Sequence, residues 1–128
     1  MTKTKVQYEY NMHCLSEILY EYLASAEGLS EWFADDVVER GDDFFFSWGN
    51  SPAEKATMIR YKPESFVRFR WEEDEGSKYF FELSIVIDEI TDDLSLNITD
   101  FCEPGDEEEN QLYWENLIEN LRLKLGAS

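Results

Sequence analysis

Nucleophilic catalysis needs a serine or cysteine beside a positioned base, and this 128-residue chain has one histidine, His13, directly followed by Cys14. Adjacent residues of an extended segment point to opposite faces, so the pair reads as structural and no catalytic residue is assigned. Carboxylates come in runs, at Asp35-Asp36, Asp42-Asp43, Glu72 to Glu75, Asp92-Asp93 and Asp106 to Glu109. All of them fall in expected turns or at a helix start, where turn chemistry and capping account for them. None has the spacing of a calcium loop, and no glycine-rich loop follows a strand in a way that would cradle phosphate. Cys14 and Cys102 lack metal-ligand spacing, so neither a metal nor a cofactor is expected.

What remains is aromatic and aliphatic. Tyr8, Tyr10, Met12, Trp48, Phe69, Trp71, Phe81, Leu83 and Trp114 converge on one space if a sheet and a helix face each other here, with Met58 and Ile118 extending the lining. An aromatic-lined concavity is the usual site for a flat or lipidic ligand, and the competing expectation is a filled core. Arg60, if it faces inward, is a buried cation and an anchor for a ligand carboxylate.

The element that must position these groups is the stretch Glu107 to Leu125. Trp114, Leu117, Ile118, Leu121 and Leu125 recur at helical spacing, which predicts one apolar stripe. Asp106 to Glu109 favour the helix start, Arg122 and Lys124 the last turn, and Gly126 the stop. Such a stripe must be buried, and the segment between Asp36 and Phe101 reads as strand, so its partner is a sheet.

From Lys5 to Met12 the residues alternate, with Val6, Tyr8, Tyr10 and Met12 on one side, which predicts a half-buried strand. Leu15, Ile18, Leu19, Tyr22 and Leu23 then switch to helical spacing, and Ser25 can cap a second short helix that tolerates Gly28 in its first turn. Six strands are expected after Asp36: Val37 to Glu39, Phe44 to Trp48, Lys55 to Tyr61, Phe66 to Trp71, Lys78 to Asp88 and Leu94 to Phe101. Short Gly-, Pro-, Asp- and Asn-rich turns between them favour antiparallel hairpins. In Ala56 to Tyr61 either parity can face inward. Phe45, Phe80 and Val86 fall among charges on the other face, as cross-strand pairs or a contact surface.

Composition bounds the partners. With 43% apolar and 16% aromatic residues, residues 1–128 are expected to form a single domain with a sizeable core. Eleven bases against 29 acids give a net charge of −18, which disfavours nucleic acid and anionic membrane surfaces. The first residues show no apolar leader-like stretch, and a cytoplasmic protein is expected.

The order strand, two short helices, six strands, long C-terminal helix resembles the helix-grip fold of the START and SRPBCC superfamily. The residues that carry the likeness are Leu29-Ser30-Glu31-Trp32-Phe33 with Asp35, then Phe69-Arg70-Trp71, the stretch Leu94 to Phe101, and Trp114. Within the superfamily the chain is similar to the branch of activators of the ninety-kilodalton heat-shock-protein ATPase, and to small stand-alone bacterial members. The resemblance implies an α+β fold in β-α-α-β6-α order, with a seven-stranded curved antiparallel sheet gripping the long helix across a cavity. It also implies that Cys14 and Cys102 lie at opposite ends of paired first and last strands, out of disulfide reach. The function it implies is a non-enzymatic module that takes up a small hydrophobic or aromatic ligand, or a partner's apolar segment, in the cavity or at its rim. A chaperone-associated docking domain and a polyketide cyclase or aromatase-like enzyme, with Arg60, Tyr10 or Tyr61 as pocket groups, are the alternatives, and a homodimer is left open.

Overall fold

Period-two alternation over Val6 to Met12 and period-3.6 recurrence over Trp114 to Leu125 mark the two layers that meet in the computed structural model, which describes residues 2–126. Met1, Ala127 and Ser128, the ends of the expected single domain, lie outside the described residues. The order is β1 (Thr4–Met12), α1 (Ser16–Ala24), α2 (Ala26–Trp32), β2 (Asp36–Arg40), β3 (Asp43–Ser47), β4 (Glu54–Lys62), β5 (Phe66–Trp71), a 3-10 turn over Glu72–Asp74, β6 (Phe81–Ile87), β7 (Leu94–Cys102) and α3 (Glu107–Leu125). The strands form one curved antiparallel sheet ordered β1-β7-β6-β5-β4-β3-β2, with α3 packed in its hollow. This is the expected helix-grip architecture.

The inner face is the apolar parity of each strand. Val67, Phe69, Phe81, Leu83, Ile85, Leu94, Leu96 and Ile98 are buried there and meet Trp114, Leu117, Ile118 and Leu121 of α3. Gly126 ends α3 with φ 69°, and its N–H donates to the carbonyls of Arg122 and Leu123, the left-handed stop expected of glycine. Pairing of Thr4 with Cys102 and of Met12 with Leu94 puts the two cysteines at opposite ends of the β1–β7 ladder.

Three details differ from the expectation. Gly28 is required, not merely tolerated: a Cβ there would lie 2.2 Å from the carbonyl oxygen of Glu21 and 2.5 Å from the Cα of Tyr22, because α2 crosses the backbone of α1. Around it Ser25 caps α2 as expected, accepting from the Gly28 N–H at 3.0 Å. Strand β6 begins at Phe81 instead of Lys78, since the Tyr79 backbone bonds to the Ser77 hydroxyl and the Arg70 guanidinium in place of a ladder. And β4 changes parity midway. Ala56 pairs with Trp71 and Met58 with Phe69, but Arg60 pairs with Arg68 and Tyr61 with Val67, so a bulge at Ile59 shifts the register. Both parities weighed for this segment are thus used, one on each side of the bulge.

Candidate functional site

The twelve residues expected to line a cavity separate into three groups. Met12, Phe69, Phe81, Leu83, Trp114 and Ile118 are buried in the core, and Tyr8, Tyr10, Trp48, Met58 and Trp71 pack against it half-buried. Arg60 does not join them. The bulge at Ile59 turns it to the outer face, where it is exposed with its guanidinium 5.5 Å from the Phe66 ring, so it cannot anchor a ligand between sheet and helix.

The interior is filled by rings. Phe33, which follows α2, is their hub: its centroid lies 5.2 Å from Phe46, 5.6 Å from Phe81, 5.9 Å from Trp114, 6.2 Å from Trp48 and 6.5 Å from Trp71. Phe69 adds contacts at 5.1 Å to Phe44 and 5.2 Å to Phe81. All are within the 4.5–7 Å range of favourable ring pairs, and rings so interlocked occupy the space where an enclosed ligand would lie. The filled-core expectation therefore describes the inside of the grip. Phe33 is not recognisable as a lining residue from spacing, because its place depends on how α2 ends against the sheet.

Open space lies at the rim. A pocket of about 310 Å³ between α2 and α3 has Trp32, Phe33, Ala34, Trp48 and Leu117 on its apolar side and Ser30, Glu31, Asp35 and Asn120 on its polar side. A smaller one of about 160 Å³ is bordered by Trp71 and Lys55 with Glu72 and Glu73. The Trp48 and Trp71 rings are 6.3 Å apart, and Trp48 is held by its indole N–H donating to the Phe33 carbonyl at 3.1 Å. The mouth of the grip thus holds two half-buried indoles, Trp48 tethered by its hydrogen bond and Trp71 packed on the Phe33, Phe46 and Phe81 rings.

A polar clasp lies at the β1–β7 side. The Asp100 carboxylate accepts from the Trp114 indole N–H at 2.9 Å, from the Asn110 side-chain amide at 3.0 Å and from the Phe101 backbone N–H at 2.8 Å. Tyr8 donates its hydroxyl to Asn110 at 2.7 Å. Burial pushes the Asp100 carboxyl above its ordinary range, against the three hydrogen bonds that favour its charged form. Burial, with the nearby Cys102 and Asp100, likewise pushes the Tyr8 phenol up to about 12. The clasp fixes α3 on the sheet. With every Asp100 oxygen engaged and Tyr8 already donating, it presents no free base to a substrate. Asp100 was absent from the candidate residues, although continuing the parity of Leu94, Leu96 and Ile98 by one step places it inward.

Among the described residues no group of histidines, cysteines and carboxylates could hold a metal ion, and no helix is long and apolar enough to cross a membrane.

This geometry defines a helix-grip protein, and the chain belongs to the START-like superfamily, whose domain model matches residues 1–127. Among solved structures it is similar to a protein of Bacteroides fragilis at 32% identity, over 97% of this chain and 92% of that one, with a TM-score of 0.70. The Aha1 dimer of Colwellia psychrerythraea matches at 14% identity and TM-score 0.77, over 95% and 96% of the two chains. DynU16, of the dynemicin biosynthetic locus, matches at 15% identity and TM-score 0.74, over 95% of this chain and 48% of its own. At such identities the last two share the fold alone. No curated protein matches the chain. The superfamily includes both binding proteins and cyclase or aromatase enzymes.

Proposed function

We propose that this chain is a non-enzymatic binding module that takes up a small, flat apolar or aromatic ligand at the rim of the grip, between Trp48 and α3. The observation that carries the reading is the half-buried Trp48–Trp71 pair on a packed ring floor, with Trp48 bordering the pocket of about 310 Å³ and Trp71 the smaller one. Indoles fixed this way offer broad apolar contact with little ordering to lose on binding. The reading favours the rim over the interior because Phe33, Phe46, Phe81 and Trp114 fill the interior. It favours binding over catalysis because Asp100, the half-buried carboxylate, has its oxygens taken up by three donors and has no free reach to a substrate. A cytoplasmic setting, and a homodimer such as the Colwellia relative forms, belong to the same reading.

Tryptophan fluorescence and thermal shift, measured across fatty acids and fused-ring aromatics, test it. Quenching with a raised melting temperature is expected, and Trp48→Ala should weaken binding about tenfold, as loss of a central aromatic anchor does. No quenching and no shift across the set, or binding indifferent to Trp48→Ala and Trp71→Ala, would overturn it.

A further inference from the structure

The chain carries −18 overall, yet its charge is unevenly placed. By strand register the outer face of the sheet holds Lys5, Arg40, Lys55, Arg60, Lys62, Arg68 and Arg70 against Glu9, Asp36, Asp43 and Glu82, seven bases to four acids, a local +3. Seven of the eleven bases in the chain are therefore on one surface. Five of them, Lys55, Arg60, Lys62, Arg68 and Arg70, lie on the β4–β5 hairpin, where Lys55 is paired with Glu72 and Glu75 and the other four stand toward the turn.

Two locally unfavourable features meet at this point. The bulge at Ile59 interrupts the ladder and turns Arg60 outward, and the new register sets Arg60 directly opposite Arg68, where like charges repel. Violations of local rules that converge on one spot mark function more often than packing. Glu82 engages Arg68 at 2.9 Å, whereas the Arg70 guanidinium donates to the Tyr79 carbonyl and, among the described residues, neither Arg60 nor Arg70 has a carboxylate partner. Both cross-strand arginines rest on rings, Arg68 4.0 Å from the Phe80 centroid and Arg60 5.5 Å from Phe66, which holds the guanidinium planes in place.

We propose that the outer face of the β4–β5 hairpin is a docking surface for a short, extended acidic segment of a partner protein. Guanidinium groups take carboxylates bidentately. Arg68 and Arg70 are two residues apart on one strand, about 6.6 Å, the same interval that separates alternate side chains of an extended peptide. The surface is the flat outer side of a sheet, which suits a strand laid along it better than an enclosed small molecule. A short segment stays within about one Debye length of the patch, while a long polyphosphate would run on over the acidic remainder of the molecule.

The test is an NMR titration of the 15N-labelled full chain with an acetylated peptide carrying Glu at alternate positions, about ten residues long at about 3.3 Å each. Shifts confined to β4, β5 and the Phe80 region, weakening as salt rises, are expected. Arg60→Gln with Arg70→Gln should reduce affinity about tenfold, and Arg40→Gln on the same face should leave it unchanged. Both residues of the double variant lie on the solvent side, and its amide spectrum shows directly that it folds. The proposal is overturned if no shifts appear at millimolar peptide, if shifts map to Trp48 and α3, or if the double variant binds as the parent does. It is also overturned if oligothymidylate binds the same residues as tightly, or if sedimentation shows that the face is occupied by a second copy and freed by the double variant.

Discussion

Replacing Trp114 by phenylalanine isolates the clasp that fixes α3. Trp114 is 1% exposed and gives its indole N–H to a carboxylate that burial has pushed toward the protonated form. A hydrogen bond to a charged group contributes about 1.5–3 kcal/mol, and the smaller ring loses on the order of 1 kcal/mol of apolar burial, so Trp114→Phe should cost about 3 kcal/mol at neutral pH. The cost should depend on pH in a definite direction. An acid with a raised folded pKa holds its proton longer in the folded state than in the unfolded one. Its contribution to stability is therefore greatest in acid, and is lost as pH rises from the ordinary carboxylate range through the raised folded value. Once Asp100 is protonated the missing bond is neutral, with a net worth of about 0.5–1.5 kcal/mol, so the gap between parent and variant should narrow by about 1 kcal/mol toward acid. Urea unfolding of parent, Trp114→Phe and Asp100→Asn at a series of pH values reads both quantities. In Asp100→Asn the same Trp114 substitution should cost a pH-independent amount. A gap in the native background that is flat with pH, or that widens toward acid, refutes the assignment of a charged Asp100 accepting from Trp114.

Gly28→Ala decides between propensity and contact: an alanine favours a helix by up to about 1 kcal/mol, but a Cβ 2.2 Å from the Glu21 carbonyl forces α1 and α2 apart, so a loss of about 1–3 kcal/mol in chemical denaturation is expected. Phe33→Ala removes the ring hub and should cost about 3–5 kcal/mol, and the void it leaves should bind indole or benzene, visible as a ligand-dependent rise in melting temperature that the parent lacks. Tyr8→Phe deletes only the donor to Asn110 and should cost about 1 kcal/mol by urea unfolding, with the α3 amide signals shifting most in the NMR spectrum.

Much of the architecture was legible because two periodicities are uninterrupted. The stripe of α3 and the inward parity of β1, β5, β6 and β7 are read directly from residue spacing, and burial of Trp114, Phe69, Leu83 and Ile98 follows. What was not legible depended on tertiary contact. The bulge at Ile59 lies in a run with neither glycine nor proline to announce it, and that single extra residue moves Arg60 from the grip to the opposite surface. Asp100 is not legible as a clasp because an acid in a strand reads as solvated, and its partners Asn110 and Trp114 come from an element ten to fourteen residues further on. Whether aromatic side chains surround a void or fill it is decided by volumes summed over α2, the sheet and α3 together, as the Phe33 contacts show.

The position of β1 at the margin of the sheet has a consequence for biosynthesis. Among the described residues its one strand neighbour is β7, and the register joins Thr4 to Cys102, so β1 leaves the ribosome with nothing in this sheet to zip onto until translation has passed residue 94. Closing so long a loop is slow in entropic terms, and Tyr8, Tyr10 and Met12 stay uncovered meanwhile. Nascent chains stalled before β7 should therefore recruit holdase chaperones through β1, and release them as β7 and α3 emerge.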